Sequence, residues 1–208
     1  MHIPEGILSA PVLAGGAALT VAGTAMGLRH LDAEKMPRVG VMAAAFFVAS
    51  LVHVPLGPSS VHLILNGLGG LLLGWAVFPA LLVALFLQAV LFQFGGLTTL
   101  GVNTLTMALP GLLAYVVFGK LTDRGTMISA VMAFCAGAFA VLCAGVLVAL
   151  ALFFSGDAFI KAAGGLLVAH VPIMMIEGFM CAMAVGFLRK VKPEMLSGPA
   201  MHEVPRDT

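Results

Sequence analysis

The sequence predicts an all-α, polytopic membrane protein, a bundle of about seven transmembrane helices. Three observations carry this expectation. Only 9% of the 208 residues are charged and 61% are hydrophobic, whereas a soluble domain has about 25% charged residues and cannot cover its surface with so few. Apolar runs of about 20 residues, the length a helix needs to cross a bilayer, recur along the whole chain. The few positive charges gather in short polar segments, so their placement can orient the crossings.

Taken in order, five runs read directly as crossings, over residues 8–28, 39–56, 103–118, 127–154 and 160–188. The stretch from Val61 to Leu91 is either one helix too long for a single span or two short ones broken near Gly74, Trp75 and Pro79. Proline inside a helical pattern ends or kinks it. Charge placement decides between these. Arg29, Lys35, Arg38, Lys120, Arg124, Arg189, Lys190, Lys192 and Arg206 lie in three segments, 29–38, 119–126 and the tail from 189. Lys and Arg favour cytoplasmic loops. To share one side, each pair of segments needs an even number of spans between them, so Val61–Leu91 counts as two and the total is seven. The N-terminus is then outside and the C-terminus cytoplasmic, with Lys161 the one positive on the outer face. Residues 1–190 read as a single transmembrane domain. Residues 191–208 read as a polar, proline-containing cytoplasmic tail, expected to be disordered.

Several function classes fall away. The net charge is +1 with no basic stripe, which gives no footprint for nucleic acid. The glycine-rich GLGGLLLG (67–74) lacks the lysine of a phosphate-binding loop, so no ATP site is expected in this chain. Ser59, Ser60 and His62 share one short turn without a GxSxG elbow, and HExxH is absent, which disfavours a hydrolase. Cys135, Cys143 and Cys181 lie in apolar runs with no CxxC pair and read as small buried hydrophobes. His30 and His202 fall in polar inner segments and read as solvated residues. Met174, Met175 and Met180 read as core filler rather than soft-metal ligands.

The terminus MHIPEG carries the chemistry. No Lys or Arg precedes Arg29, so it does not read as a cleaved secretory signal. A chain beginning X-His offers three nitrogens: the Met1 α-amine, the His2 amide nitrogen and the His2 imidazole Nδ1. Closing on a metal ion they form a five- and a six-membered ring in one plane. A fourth nitrogen completes a square plane, which favours Ni(II) or Cu(II). Zn(II) prefers a tetrahedron and Mg(II) prefers oxygen. Pro4 and Gly6 suit a turn that folds the terminus back on the bundle. His62, at the outer entrance of the third span, can supply the fourth nitrogen, and His53 is its rival. His170 and Glu177 are seven residues apart on one helix face. They are either a functional intramembrane pair or an internal polar lock. In the first span Ala14, Ala18 and Ala22 form a small-residue face suited to close contact with a partner helix, or with a neighbour inside the same bundle.

MHIPEG, SSVHL, GGLTTLGVNTLTMA (95–108) and AHVPIMMIEG (169–178) together resemble the CbiM/NikM family, the substrate-capture subunits of energy-coupling factor transporters for cobalt and nickel. The resemblance runs from Met1 to about Arg189. It implies a seven-helix subunit of a bacterial or archaeal cell membrane whose N-terminal segment tucks into the bundle from outside. It maps a metal site onto Met1, His2 and His62, with Asn103 holding the terminal segment; His53 is not among the implied ligands. It implies Co2+ or Ni2+ as cargo, with no organic cofactor. Its implied partners are a transmembrane coupling protein, cytoplasmic ATPases and a small auxiliary membrane protein, within membrane lipid. The alternative is a secondary metal/proton transporter, which would place several carboxylates at mid-membrane; Glu177 alone qualifies. Cobalt and nickel are not distinguished.

Overall fold

The computed structural model describes residues 2–51, 53–56, 59–121, 125–156 and 160–196. Among these, seven α-helices follow in order: α1 (Ala10–Arg29), α2 (Met36–Ala49), α3 (Asn66–Leu73), α4 (Val77–Phe92), α5 (Leu100–Phe118), α6 (Thr126–Phe153) and α7 (Ile160–Val191). A two-stranded antiparallel hairpin, β1 (His53–Leu56) and β2 (Ser59–His62), lies between α2 and α3. Among the described residues five segments are long and apolar enough to cross a membrane: Ala10–Arg29, Asn66–Phe92, Leu100–Leu121, Thr126–Phe153 and His170–Val191.

Two sequence expectations need correction here. The run expected to cross over 39–56 is helical only to Ala49. At 14 residues it is about 21 Å long, short of the roughly 30 Å hydrocarbon core. Its end has a local cause. The Ser50 hydroxyl donates to the Phe47 carbonyl at 2.8 Å, and Pro55 ahead both lacks an N–H and biases Val54 toward extended backbone. The chain then pairs with itself, His53 opposite His62 and Val54 opposite Val61. The third crossing is likewise only partly helical. α3 has eight residues, about 12 Å, and ends at a 3-10 turn over Gly74–Ala76 where Gly74 takes φ +54°.

Contacts fix the direction of every helix relative to the terminal segment. α1 begins beside it and runs away. α2 runs toward it, because the Phe46 carbonyl near its end accepts from Gln88 at 3.3 Å and Gln88 also meets His2. α3 runs parallel to α5: Asn66 Nδ2 donates to the Met107 carbonyl at 3.1 Å, Gly70 meets the Gly111 backbone, and Gly74 sits beside Tyr115. α4 starts at the far end, where Trp75 and Pro79 pack on Gly27, and returns to place Gln88 next to His2. α5 leaves again from Asn103. α6 rises to Phe154 and Ser155, which bond Ser9. α7 runs back along it, with Gly137 under the Glu177 carbonyl and Gly178 against the Phe134 ring.

Close approach rests on small residues. Gly16, Thr20, Gly23 and Gly27 form the buried face of α1; Gly16 fits against Val102 and Gly23 against the Phe78 ring. Ala14, Ala18 and Ala22 lie on the exposed side of the same helix. Large apolar side chains such as Val21, Val41, Val116, Met183 and Phe187 are also exposed, as a lipid-facing surface requires. Cys181 is buried, while Cys135 and Cys143 are only half-buried. His30 is exposed, but it closes α1: its Nδ1–H donates to the Met26 carbonyl at 2.8 Å and its ring stacks on Trp75. Beyond α7, Leu196 is buried and Arg38 donates to the Met195 carbonyl at 3.5 Å. The tail from 197, with His202, lies outside the described residues.

Candidate metal centre

The terminal segment is held to the bundle by side-chain hydrogen bonds at His2, Ile3 and Glu5. Ile3 is fully buried and His2 is 5% exposed, so its main-chain polar groups need partners within the protein. Asn103, one turn into α5, provides both for Ile3: its Oδ1 accepts the Ile3 N–H at 2.9 Å, and its Nδ2 donates to the Ile3 carbonyl at 3.1 Å. The side chain is itself held, since Nδ2 also donates to Thr99 Oγ1 at 3.2 Å and that hydroxyl donates to the Gly96 carbonyl. Gly95, at φ +79°, lets this loop come close; a Cβ there would stand 2.9 Å from Asn103 Nδ2 and 3.4 Å from His2 Cδ2. Glu5 adds a second anchor. Its Oε1 accepts the Thr98 N–H at 3.0 Å, and that backbone bond, with the Thr98 side chain, holds its carboxyl below the usual glutamate value.

His2 enters between α4 and the 94–99 loop. Its Nε2 lies 2.6 Å from Gln88 Oε1, and its ring is tilted against Phe94 at 6.0 Å. Gln88, 1% exposed, uses its amide nitrogen on the Phe46 carbonyl. This residue escaped sequence reasoning. A signal existed, because Gln88 is the lone amide in the apolar run between Asn66 and Gln93.

The second proposed ligand sits on β2. His62 faces His53 across the hairpin in backbone register; Met1 and the side chains of His53 and His62 lie outside the described residues. Just past His62, the amides of Ile64 and Leu65 donate to the Glu177 carboxylate, Leu65 at 2.8 and 3.0 Å to its two oxygens. Leu65 is left-handed, at φ +56°, a conformation a leucine holds only when its surroundings impose it. Glu177 therefore ties α7 to the start of α3, close in sequence to His62. His170 is buried two turns earlier on α7, about 10 Å along the axis. Among the described residues no three His, Cys, Asp or Glu side chains gather as a metal cluster; a terminal chelate would draw on a main-chain amine and amide instead. Met174 is half-buried, and Met175 and Met180 are exposed.

Comparison with known proteins follows the same outline. The family described as the cobalt uptake substrate-specific transmembrane region, CbiM, matches residues 2–195. A Haemophilus influenzae protein named for metal transport is 42% identical over 205 residues, covering 95% of this chain and 97% of its own. A Rhodobacter capsulatus protein named as the fused nickel transport protein NikMN is 37% identical over 134 residues, 62% of this chain and 39% of its own. A Methanocorpusculum labreanum protein named as a fused cobalt transport protein CbiMQ is 30% identical over 218 residues, 94% of this chain and 36% of its own. A crystal structure described as a transition metal transporter superposes with a TM-score of 0.75 at 25% identity, covering 92% of this chain and 93% of that one.

Proposed function

The chain belongs to the CbiM family of cobalt-uptake transmembrane proteins, and from that premise we propose that it is the metal-capture subunit of an ATP-driven uptake transporter. In this reading the ion binds on the extracytoplasmic side through the Met1 amine, the His2 amide nitrogen and Nδ1, and the His62 imidazole. The observation that carries it is the two-bond clamp of Asn103 on Ile3. It holds the chain at the residue next to His2, and a chelate built from main-chain nitrogens needs its backbone fixed as much as its side chain. Nitrogen donors in a square plane suit Ni(II), and related proteins are named for cobalt and for nickel. The cargo is therefore one of these two.

Seven passes fit the helix directions, because α1, α3, α5 and α7 run away from the terminus and α2, α4 and α6 run toward it. The second and third passes each join a short helix to a strand of the hairpin, α2 with β1 and β2 with α3. Arg29, Lys35, Arg38, Lys120, Arg189, Lys190 and Lys192 then share the end opposite His2. That end is cytoplasmic on the positive-inside rule, and the N-terminus is outside. In the fused CbiMQ relative a second component shares one chain with this one. The corresponding partners here are a transmembrane coupling protein, which the exposed Ala14, Ala18 and Ala22 face suits, cytoplasmic ATPases and a small auxiliary membrane protein. A proton-coupled secondary transporter is less well supported, since the Glu177 carboxylate is engaged by two backbone amides.

The deciding experiment blocks the α-amine. Acetylation, or a tag retained before Met1, should abolish tight binding of Ni2+ and Co2+. His2→Ala and His62→Ala should each reduce metal accumulation severely in cells carrying the whole transporter, while His53→Ala and His202→Ala should not. Full metal content in purified subunit with an intact N-terminal tag would end the reading.

A further inference from the structure

We infer that Gln88 is a positioning residue that sets the tautomer of His2, keeping the proton on Nε2 so that Nδ1 carries the lone pair offered to the ion. The inference rests on the chelate reading above, which needs Nδ1 and not Nε2 to close the six-membered ring. A neutral imidazole carries one proton, and which nitrogen holds it is decided by the partner of the other. Here the partner is 2.6 Å from Nε2 and buried.

The direction of that bond follows from the rest of the Gln88 amide. Its nitrogen lies 3.3 Å from the Phe46 carbonyl oxygen, a group that can only accept. The same carbonyl already accepts the Ser50 N–H at 3.2 Å, and a carbonyl has two lone pairs for the two donors. If the amide were turned over, its oxygen would face the Phe46 oxygen with no proton between them, in a buried site where such a repulsion is costly. Oε1 therefore faces His2, and because Oε1 is an acceptor, Nε2–H is the donor. Phe46 orients Gln88, and Gln88 orients His2. This is how proteins commonly hold metal-ligating imidazoles, with an acceptor on the far nitrogen to fix ring and tautomer. The chain also brings α2 into the site, through a main-chain atom that no substitution at residue 46 removes.

The test reads the tautomer in metal-free protein and the affinity separately. Nitrogen-15 NMR of histidine-labelled subunit in micelles, at a pH where imidazole is neutral, assigns the His2 signals by their loss in His2→Ala. Wild type should show a protonated Nε2 and an unprotonated Nδ1. Gln88→Leu should give mixed tautomers and bind Ni2+ about 10–100-fold more weakly. Gln88→Glu keeps an acceptor for Nε2 while losing the donor to Phe46, so it should retain the tautomer and bind well above Gln88→Leu. A proton on Nδ1 in wild type would overturn the inference. So would Gln88→Leu with wild-type affinity, or Gln88→Glu as weak as Gln88→Leu, the result expected if only the bridge to α2 mattered. Should Gln88→Leu fail to fold, the wild-type spectrum and Gln88→Glu still decide. Unchanged Ni2+ binding in His2→Ala would instead remove the chelate reading and leave the tautomer measurement standing by itself.

Discussion

Asn103 holds Ile3 by both of its main-chain polar groups, accepting from the N–H at 2.9 Å and donating to the carbonyl at 3.1 Å. The pairing imitates one rung of a β-ladder, with a side-chain amide in place of the second strand. Buried main-chain groups that lose their partners cost about 1–3 kcal/mol each. Asn103→Ala strips both and should undock the terminus, lowering Ni2+ affinity at least tenfold with little loss of helical content. Asn103→Asp keeps the acceptor but sets an oxygen against the Ile3 carbonyl, and should fall between Ala and wild type. Titration of purified subunit, with hydrogen exchange at the Ile3 amide, measures both effects.

Glu5 gives the docking a pH dependence. The Thr98 amide holds its carboxyl below the usual value of 4.5, so the docked terminus binds the proton less tightly than the free one. Its contribution is complete above the free value and is lost as pH falls through the lowered one. Protection of the Thr98 amide, its exchange rate relative to the intrinsic rate at each pH, should be full at neutral pH and fall on acidification into that range. Glu5→Gln should exchange faster at neutral pH and show a weaker acid response. The carboxylate is exposed, so the effect on global stability should be small.

The terminus was legible from the chemistry of MHIPEG itself, whereas the loop that grips it, GGLTTLGVN with Asn103, was legible only through the family resemblance its motif carries. Gln88 was not, because a single amide in an apolar run says nothing about a partner 86 residues away. The hairpin was hidden for a different reason. LVHVPL is apolar enough to read as the end of a crossing, and only the pairing of His53–Leu56 with Ser59–His62 makes it a strand. Breakage near Gly74 could be read from Gly and Pro, but the length of α3 could not. Its start is set by Glu177, 112 residues further on, which relieves the need for helical hydrogen bonding at Ile64 and Leu65.

Glu177 should therefore matter to the start of α3 before it matters to charge. Glu177→Leu orphans the buried Ile64 amide and the half-buried Leu65 amide and should lower the thermal midpoint of the subunit, at roughly 1–3 kcal/mol for the buried amide and less for the other. Glu177→Gln keeps one acceptor oxygen and should recover much of the stability. A proton-carrying role would give the opposite pattern in transport, with Gln as inactive as Leu. Thermal unfolding and metal accumulation on both variants separate these outcomes.

The two sides of α1 should respond differently to bulk. Gly16 is buried against Val102, so Gly16→Leu should destabilise the isolated subunit. Ala18 is exposed, so Ala18→Leu should leave thermal stability and metal binding unchanged but weaken co-purification with the coupling protein. Loss of metal binding and partner together in Ala18→Leu would mean that this face serves the subunit's own packing.

The sidedness of the bundle can be tested with a pair of cysteines in a background where Cys135, Cys143 and Cys181 are replaced by alanine. Leu97, 58% exposed, sits in the loop that grips the terminus. Glu34 is exposed between α1 and α2, at the opposite end of a 20-residue helix, about 30 Å away. Ser155 is a poorer reporter, because its hydroxyl accepts the Ser9 N–H at 3.1 Å and replacing it would disturb the segment under test. In intact cells an impermeant thiol reagent should label Leu97→Cys and spare Glu34→Cys, with both reacting after the membrane is opened. That pattern is required if seven basic side chains, from Arg29 to Lys192, face the cytoplasm while His2 meets its ion outside. The reverse pattern would turn the bundle over and, with it, the direction in which a captured ion could travel.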